Sequence, residues 1–132
     1  MPLKNILKKK NLIVVGLNSG TSADGLDLAA IRINLSAKNP RIKFIKGVTV
    51  RYPKKLSALI NDAIGNRIKS IDAVIELDRK LGAFYGGQAV KFSQTLAKKK
   101  IYPDLIASHG QTIRHLPGKV KIDRKSESGT LQ

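Results

Sequence analysis

Two short clusters of polar residues hold most of the chemistry this chain can offer. The first, Ser19-Gly20-Thr21-Ser22-Ala23-Asp24-Gly25, gathers three hydroxyls, two glycines and a carboxylate, with Leu26 and a second carboxylate, Asp27, just beyond. Glycines let backbone amides approach an anion closely, and the hydroxyls add donors. Asp24 and Asp27 suit a hydrated Mg²⁺, which takes one or two carboxylates and keeps several waters. That set fits a nucleotide phosphate with its metal. Ser, Gly, Asp and Thr are also the ordinary residues of a tight hairpin, and composition alone favours that plainer reading. The chain has no G-x-x-x-x-G-K-[ST] string, and a strand follows the cluster, so it is neither a P-loop nor a Rossmann fingerprint.

The second cluster is Ser108-His109-Gly110-Gln111-Thr112-Ile113-Arg114-His115. The imidazole of His109 can serve as an acid or a base near neutral pH. Gln111 and Thr112 carry groups that hydrogen-bond sugar hydroxyls or an acetamido group. The plainer alternative is an ordered loop in which His109 and His115 pair with backbone groups, and taken alone the cluster favours it.

The surrounding pattern shows what must hold these clusters. Asn11 to Asn18 is β-branched and apolar, a buried strand that empties into the first cluster. A second strand is expected from about Leu26 to Leu35. Arg41 to Arg51 alternates, setting Ile42, Phe44, Val48 and Val50 against Arg41, Lys43 and Lys46, which predicts a half-buried third strand. After Pro53, Leu56, Leu59, Ile60, Ala63 and Ile64 recur at helical spacing until Gly65-Asn66. A longer helix is expected from about Ser70 to Lys100, with Ile71, Val74, Leu77, Leu81, Phe84, Gln88 and Phe92 on one stripe. Gly86-Gly87 is expected to mark a kink or a close approach of another element. Asp104 to Ser108 reads as a short apolar strand that delivers residues 109–112 into a loop, where open α/β sheets place ligands. From Leu116 on, the sequence is polar and weakly patterned. This order predicts an α/β domain with a mixed sheet.

Bulk properties narrow the classes. With 132 residues and 42% hydrophobic content the chain suits one domain with a real core. It has no cysteine, so disulfides, thiolate metal sites and a Cys nucleophile are excluded, and two histidines are too few for a His-rich metal site. The apolar run Leu12 to Leu17 behind Lys8, Lys9 and Lys10 is too short for a secretory signal, and no stretch is long enough to span a bilayer. The expectation is a soluble cytoplasmic protein with no membrane partner. The net charge of +16 suggests a nucleic-acid binder or a lysine-rich surface. Lysine runs at the ends of elements, aromatics at only 5% and no nucleic-acid-binding signature favour the surface.

The spacing Gly16-x-x-Ser-Gly-Thr-Ser-x-Asp-Gly-x-Asp27 resembles the opening signature of the anhydro-N-acetylmuramic acid kinase family, G-x-M-S-G-T-S-x-D-G-x-D, with Asn18 in place of the usual Met and Ala23 at a variable position. His109-Gly-Gln-Thr-Ile-Arg-His115 matches the family's H-G-Q-T-[IV]-x-H after the same apolar strand, and Gly129-Thr-Leu-Gln132 resembles its S/G-T-L-Q-I-G segment. Leu77-Asp78 and Leu81-Gly82 on the long helix agree with it.

The resemblance implies a truncated N-terminal lobe of the actin-like ATPase (ribonuclease H-like) type, a fold that habitually places a phosphate loop between two strands. It implies a kinase of peptidoglycan (cell-wall) recycling that uses ATP, Mg²⁺ and water. Such a kinase opens the 1,6-anhydro ring of anhydro-N-acetylmuramic acid, giving N-acetylmuramic acid 6-phosphate and ADP. Gly20, Thr21, Ser22, Ala23, Asp24, Gly25, Leu26 and Asp27 would then hold the ATP phosphates, with Asp24 toward the metal. His109, Gly110, Gln111 and Thr112 would line the sugar side. No catalytic residue is expected in this chain, because the family's catalytic aspartate lies in a D-T-G-P-G-N motif that the sequence lacks. The chain alone is expected to be inactive, its partners being ATP, the amino sugar, and either a separate C-terminal lobe or a second copy. A non-catalytic nucleotide- or sugar-binding remnant is the alternative, and a basic nucleic-acid binder is the less favoured one.

Overall fold

The computed structural model describes the backbone of residues 5–6, 8–20, 22–36, 38–122 and 125–131. Strands β1 (Asn11–Ser19), β2 (Gly25–Asn34) and β3 (Arg41–Arg51) form an antiparallel meander. Two helices follow, α1 (Lys54–Ile64) and α2 (Ile71–Ala97), and return the chain so that β4 (Leu105–Gln111) pairs parallel with β1. The sheet order is β3-β2-β1-β4, the mixed α/β arrangement that the element order predicts. A separate antiparallel pair, β5 (Arg114–Ile122) and β6 (Lys125–Leu131), occupies the stretch where the sequence shows no clear pattern.

Pairing register creates the core. Val15 sits opposite Ala30 and Leu17 opposite Leu28, so these side chains share one face of the sheet. All four are buried, together with Leu26, Leu56, Ile60 and Ala63, and with Leu77, Ala89, Phe92 and Leu96 of α2. The Ser70 hydroxyl caps α2 by accepting from the Ala73 amide at 3.2 Å, and Asp72 in the first turn complements the helix dipole.

Four details differ from the expectations. Ile42 and Phe44 of β3 are 67% and 65% exposed rather than half-buried. A bulge explains this, because pairing jumps from Ala30–Lys46 to Ile31–Phe44 and leaves Ile45 as the extra residue. Val48 and Val50 lie opposite core residues Leu28 and Leu26, whereas Phe44 and Ile42 lie opposite Ile31 and Ile33 on the other face. The first turn of α2 also departs from the stripe, since Ile71 is 79% exposed and Val74 is exposed as well. Helix α2 runs without interruption through Gly86-Gly87, and a Cβ at Gly82, Gly86 or Gly87 would meet nothing within 4 Å, so no element approaches there. A helical glycine costs about 1 kcal/mol relative to alanine, and the buried residues on either side of the pair hold the helix across it. Finally, β4 extends through Gln111, so His109, Gly110 and Gln111 belong to the strand rather than to a loop.

The start of β4 is fastened electrostatically. The Asp104 carboxylate accepts from the Ile13 amide at 2.9 Å and from the Lys9 ammonium, while the Asp104 amide donates to the Ile13 carbonyl at 2.8 Å. The Lys9 bond, followed by the Ile13 amide, holds this carboxyl below its ordinary value of 3.8. A depressed value in the folded state means stability that is present above 3.8 and is lost as pH falls through the folded value. Asp104→Asn is expected to destabilise the domain by roughly 1–3 kcal/mol at neutral pH. Urea melts at successive pH values should show the gap closing below 3.8.

At the other end of the sheet, β2 and β3 approach closely. A Cβ at Gly25 would lie 2.7 Å from the Val50 carbonyl oxygen. Gly25→Ala is expected to cost about 1–3 kcal/mol in denaturant unfolding, because backbone must move to relieve the contact.

Candidate functional site

The turn between β1 and β2 carries the first cluster. Ala23 adopts φ 53°, a left-handed conformation unusual for a residue with a Cβ, and its side chain is buried. Its amide donates to the Gly20 carbonyl at 3.4 Å. Gly20, Ser22, Asp24 and Asp27 are exposed, whereas the side chain of Leu26 is in the core and leaves only its backbone for a ligand. Thr21 lies outside the described residues.

The Ser22 hydroxyl donates to Asp24 Oδ1 at 2.8 Å. That bond first, then the Asp24 backbone amide, keeps the Asp24 carboxyl below its ordinary value. Arg51 and the Gly25 amide add to the effect, and desolvation opposes it. Asp27 lies in register between Asn18 of β1 and Thr49 of β3, and the Thr49 hydroxyl donates to it. Among the described residues no group of three or more His, Cys, Asp or Glu side chains converges. Two exposed carboxylates beside hydroxyls fit a Mg²⁺ carried on phosphate oxygens and water, and they do not make an all-protein metal cage.

The end of β4 reaches the same place, because Ser19 and Gln111 are register partners after an irregularity in the β1–β4 ladder. Gln111 is 3% exposed. Its Oε1 accepts from the Ser19 hydroxyl at 2.7 Å and from the Tyr52 hydroxyl at 3.0 Å. Its Nε2 donates to the Gly20 and Thr112 carbonyls, both at 3.0 Å. An amide side chain has two donor and two acceptor positions; Gly20, Thr112 and Tyr52 fill three of them, and the Ser19 hydroxyl divides its one proton between the fourth and the Gly25 carbonyl at 2.8 Å. The Gln111 side chain is thereby bonded through both its oxygen and its nitrogen to the protein itself.

The other members of the second cluster sit differently. His109 is exposed on β4, and Thr112 is half-buried. Gly110 has φ 81°, a conformation that glycine adopts without penalty, and its amide donates to the Ser108 hydroxyl at 3.2 Å. His115 Nδ1 lies 2.8 Å from the Thr130 hydroxyl across the β5–β6 pair, so its partner is a side chain rather than backbone.

Sequence reasoning misses Tyr52 and Tyr85. The hydroxyl of Tyr52, which lies between β3 and α1, is 2.9 Å from that of Tyr85 on α2. Burial first, and then the bond to Tyr52, push the Tyr85 phenol above its ordinary value. The available signal was scarcity, since two of only three tyrosines in the chain converge here. A cleft of about 500 Å³ opens beside Tyr85 between α2 and β4, lined by Leu77, Asp78, Leu81, Gly110 and Gln111 among others.

Comparison with known proteins shows the family. The family model for anhydro-N-acetylmuramic acid kinase matches residues 12–125. The anhydro-N-acetylmuramic acid kinase of Microcystis aeruginosa is 34% identical over 106 residues, which are 80% of this chain and 27% of that protein. Its counterpart from Pseudoalteromonas translucida is 33% identical over 98% of this chain and 32% of its own length. That of Bacillus cereus is 31% identical over 92% and 31%. The chain thus spans about a third of the length of the curated relatives it matches. The family match runs from β1 to the start of β6 and takes in both polar clusters on a mixed α/β sheet of the sugar-kinase ATPase type, and on that ground the chain belongs to the anhydro-N-acetylmuramic acid kinase family.

Proposed function

We propose that this chain supplies the phosphate-binding turn and the sugar-side strand end of an ATP-dependent kinase of cell-wall recycling. The reaction would convert 1,6-anhydro-N-acetylmuramic acid, ATP and water to N-acetylmuramic acid 6-phosphate and ADP in the cytoplasm. One observation carries the reading: the turn of residues 20–25 and the end of β4 are joined through Gln111, which donates to the Gly20 carbonyl. That bond brings the two clusters side by side through residues 91 positions apart in sequence, which supports reading them as parts of one site. Among the described residues no helix is long and apolar enough to cross a membrane.

Mg·ATP supplies the phosphoryl group and spreads its charge over the metal. The chain's own residues bind and orient. Gly20 and Ser22 would offer their backbone amides at the exposed turn, and Asp24, whose carboxyl the Ser22 hydroxyl holds below its ordinary value, would face the metal. Asp27 is held by Thr49 at the start of β2. His109, exposed on β4, is placed to meet a sugar. Phosphoryl transfer depends on positioning and charge stabilisation from several sides, and the activation of the attacking water is assigned to the D-T-G-P-G-N motif that this sequence lacks. The partner we propose is a polypeptide carrying the remaining lobe, with a second copy of this chain as the other candidate. Ile42 and Phe44, together with the exposed Leu105 of β4, provide apolar surface for such an association.

Asp24→Ala is expected to weaken Mg·ATP binding severalfold by calorimetry while the melting temperature stays unchanged, since the side chain is exposed. Unaltered affinity in that variant would refute the metal-side assignment. The chain alone is expected to show no sugar-dependent ADP release in a coupled assay and no 6-phosphate product by mass detection. Sugar-dependent turnover would place the base among these 132 residues.

A further inference from the structure

We propose that Gln111 is a positioning residue and not a sugar ligand: with Ser19, Tyr52 and Tyr85 it clamps the turn of residues 20–25 to the end of β4. The clamp follows from the direction of each proton. Turning the amide around would set its oxygen against the Gly20 and Thr112 carbonyls, so Nε2 must face them and Oε1 must face the hydroxyls. Tyr52 therefore spends its one proton on Oε1, and in the 2.9 Å contact between the tyrosines Tyr85 is the donor. Ser19, buried beside them, has its one proton between Gln111 Oε1 and the Gly25 carbonyl at 2.8 Å.

Both ends of the turn meet the same network: Gln111 Nε2 donates to the Gly20 carbonyl, and the Ser19 hydroxyl shares its one proton between the Gly25 carbonyl and Gln111 Oε1. The four side chains come from β1, the β3–α1 connection, α2 and β4, so the turn is referenced to every layer of the domain. A turn fixed in this way keeps its donors aimed before any ligand arrives, which is how preorganised sites gain over flexible ones. The consequence for catalysis rests on the nucleotide reading above, whereas the grip on the turn does not.

The test compares Gln111→Leu, Tyr85→Phe and a control, Ile60→Val, which thins the core at α1 and keeps all four polar groups. Four quantities are read: NMR order parameters of the amides at Gly20 and residues 22–25, the melting temperature, Mg·ATP affinity and binding of the amino sugar. Gln111→Leu and Tyr85→Phe should lower the order parameters of the turn, with affinity in Gln111→Leu falling about tenfold. Ile60→Val should lower the melting temperature and leave the turn as ordered as before. If Gln111→Leu does not fold, Tyr85→Phe decides the matter by itself. A turn of unchanged order in the folded variants overturns the proposal, as does loss of sugar binding in Gln111→Leu with a turn as rigid as the parent's. If the turn loosens while the parent chain shows no affinity for Mg·ATP, the nucleotide reading fails and the clamp stands.

Discussion

Leaving a buried amide unsatisfied costs about 1–3 kcal/mol for each missing partner, and the Gln111 side chain sits where four such partners meet. It lies under the turn between the first two strands, at the end of the only parallel strand pair in the sheet. Two carbonyls and two hydroxyls surround it, and the amide cannot be turned around without setting its oxygen against the carbonyls. The position of β4 along β1, the path of the turn and the approach of α2 through Tyr85 are therefore linked. A slip of β4 by one residue would replace this amide with Gly110 or Thr112, neither of which can bridge the same groups.

The opposite end of β4 is fixed by different physics. There the Asp104 carboxylate meets a lysine and a backbone amide, and the interaction is charged and pH-dependent. Between these two anchors β4 presents Leu105 and Ile106 to solvent, at the edge of the sheet. Parallel strands are usually covered on both faces. Here the helices cover one face, and the bulge at Ile45 turns Ile42 and Phe44 toward the other. The result is a sheet with one packed face and one open apolar face, a suitable surface for the partner lobe proposed above.

Charge distribution complements the site without building it. The chain carries 25 basic and 9 acidic residues, so a long-range positive field favours the approach of phosphates. Asp24 and Asp27 are exposed carboxylates against that background, one at the turn and one in β2.

The sequence by itself determined strands β1 to β4, the two helices and the two clusters, because each depends on short-range periodicity and local backbone chemistry, whereas the β5–β6 pair was not legible in it. The β-branched apolar run of β1, the helical spacing of Leu56, Ile60 and Ala63, and the glycine and hydroxyl content of residues 19–25 are all properties of neighbours in the chain. Tertiary structure decided what periodicity cannot encode. The bulge at Ile45 reverses the phase of β3, so Ile42 and Phe44 leave the face that simple alternation assigns to them. Gly86-Gly87 looks like a breaker in isolation, yet the buried side chains around it keep α2 continuous. The role of Gln111 was hidden for a related reason. Its type permits a sugar contact equally well, and only folding brings Ser19, Tyr52, Gly20 and Thr112 around its polar atoms.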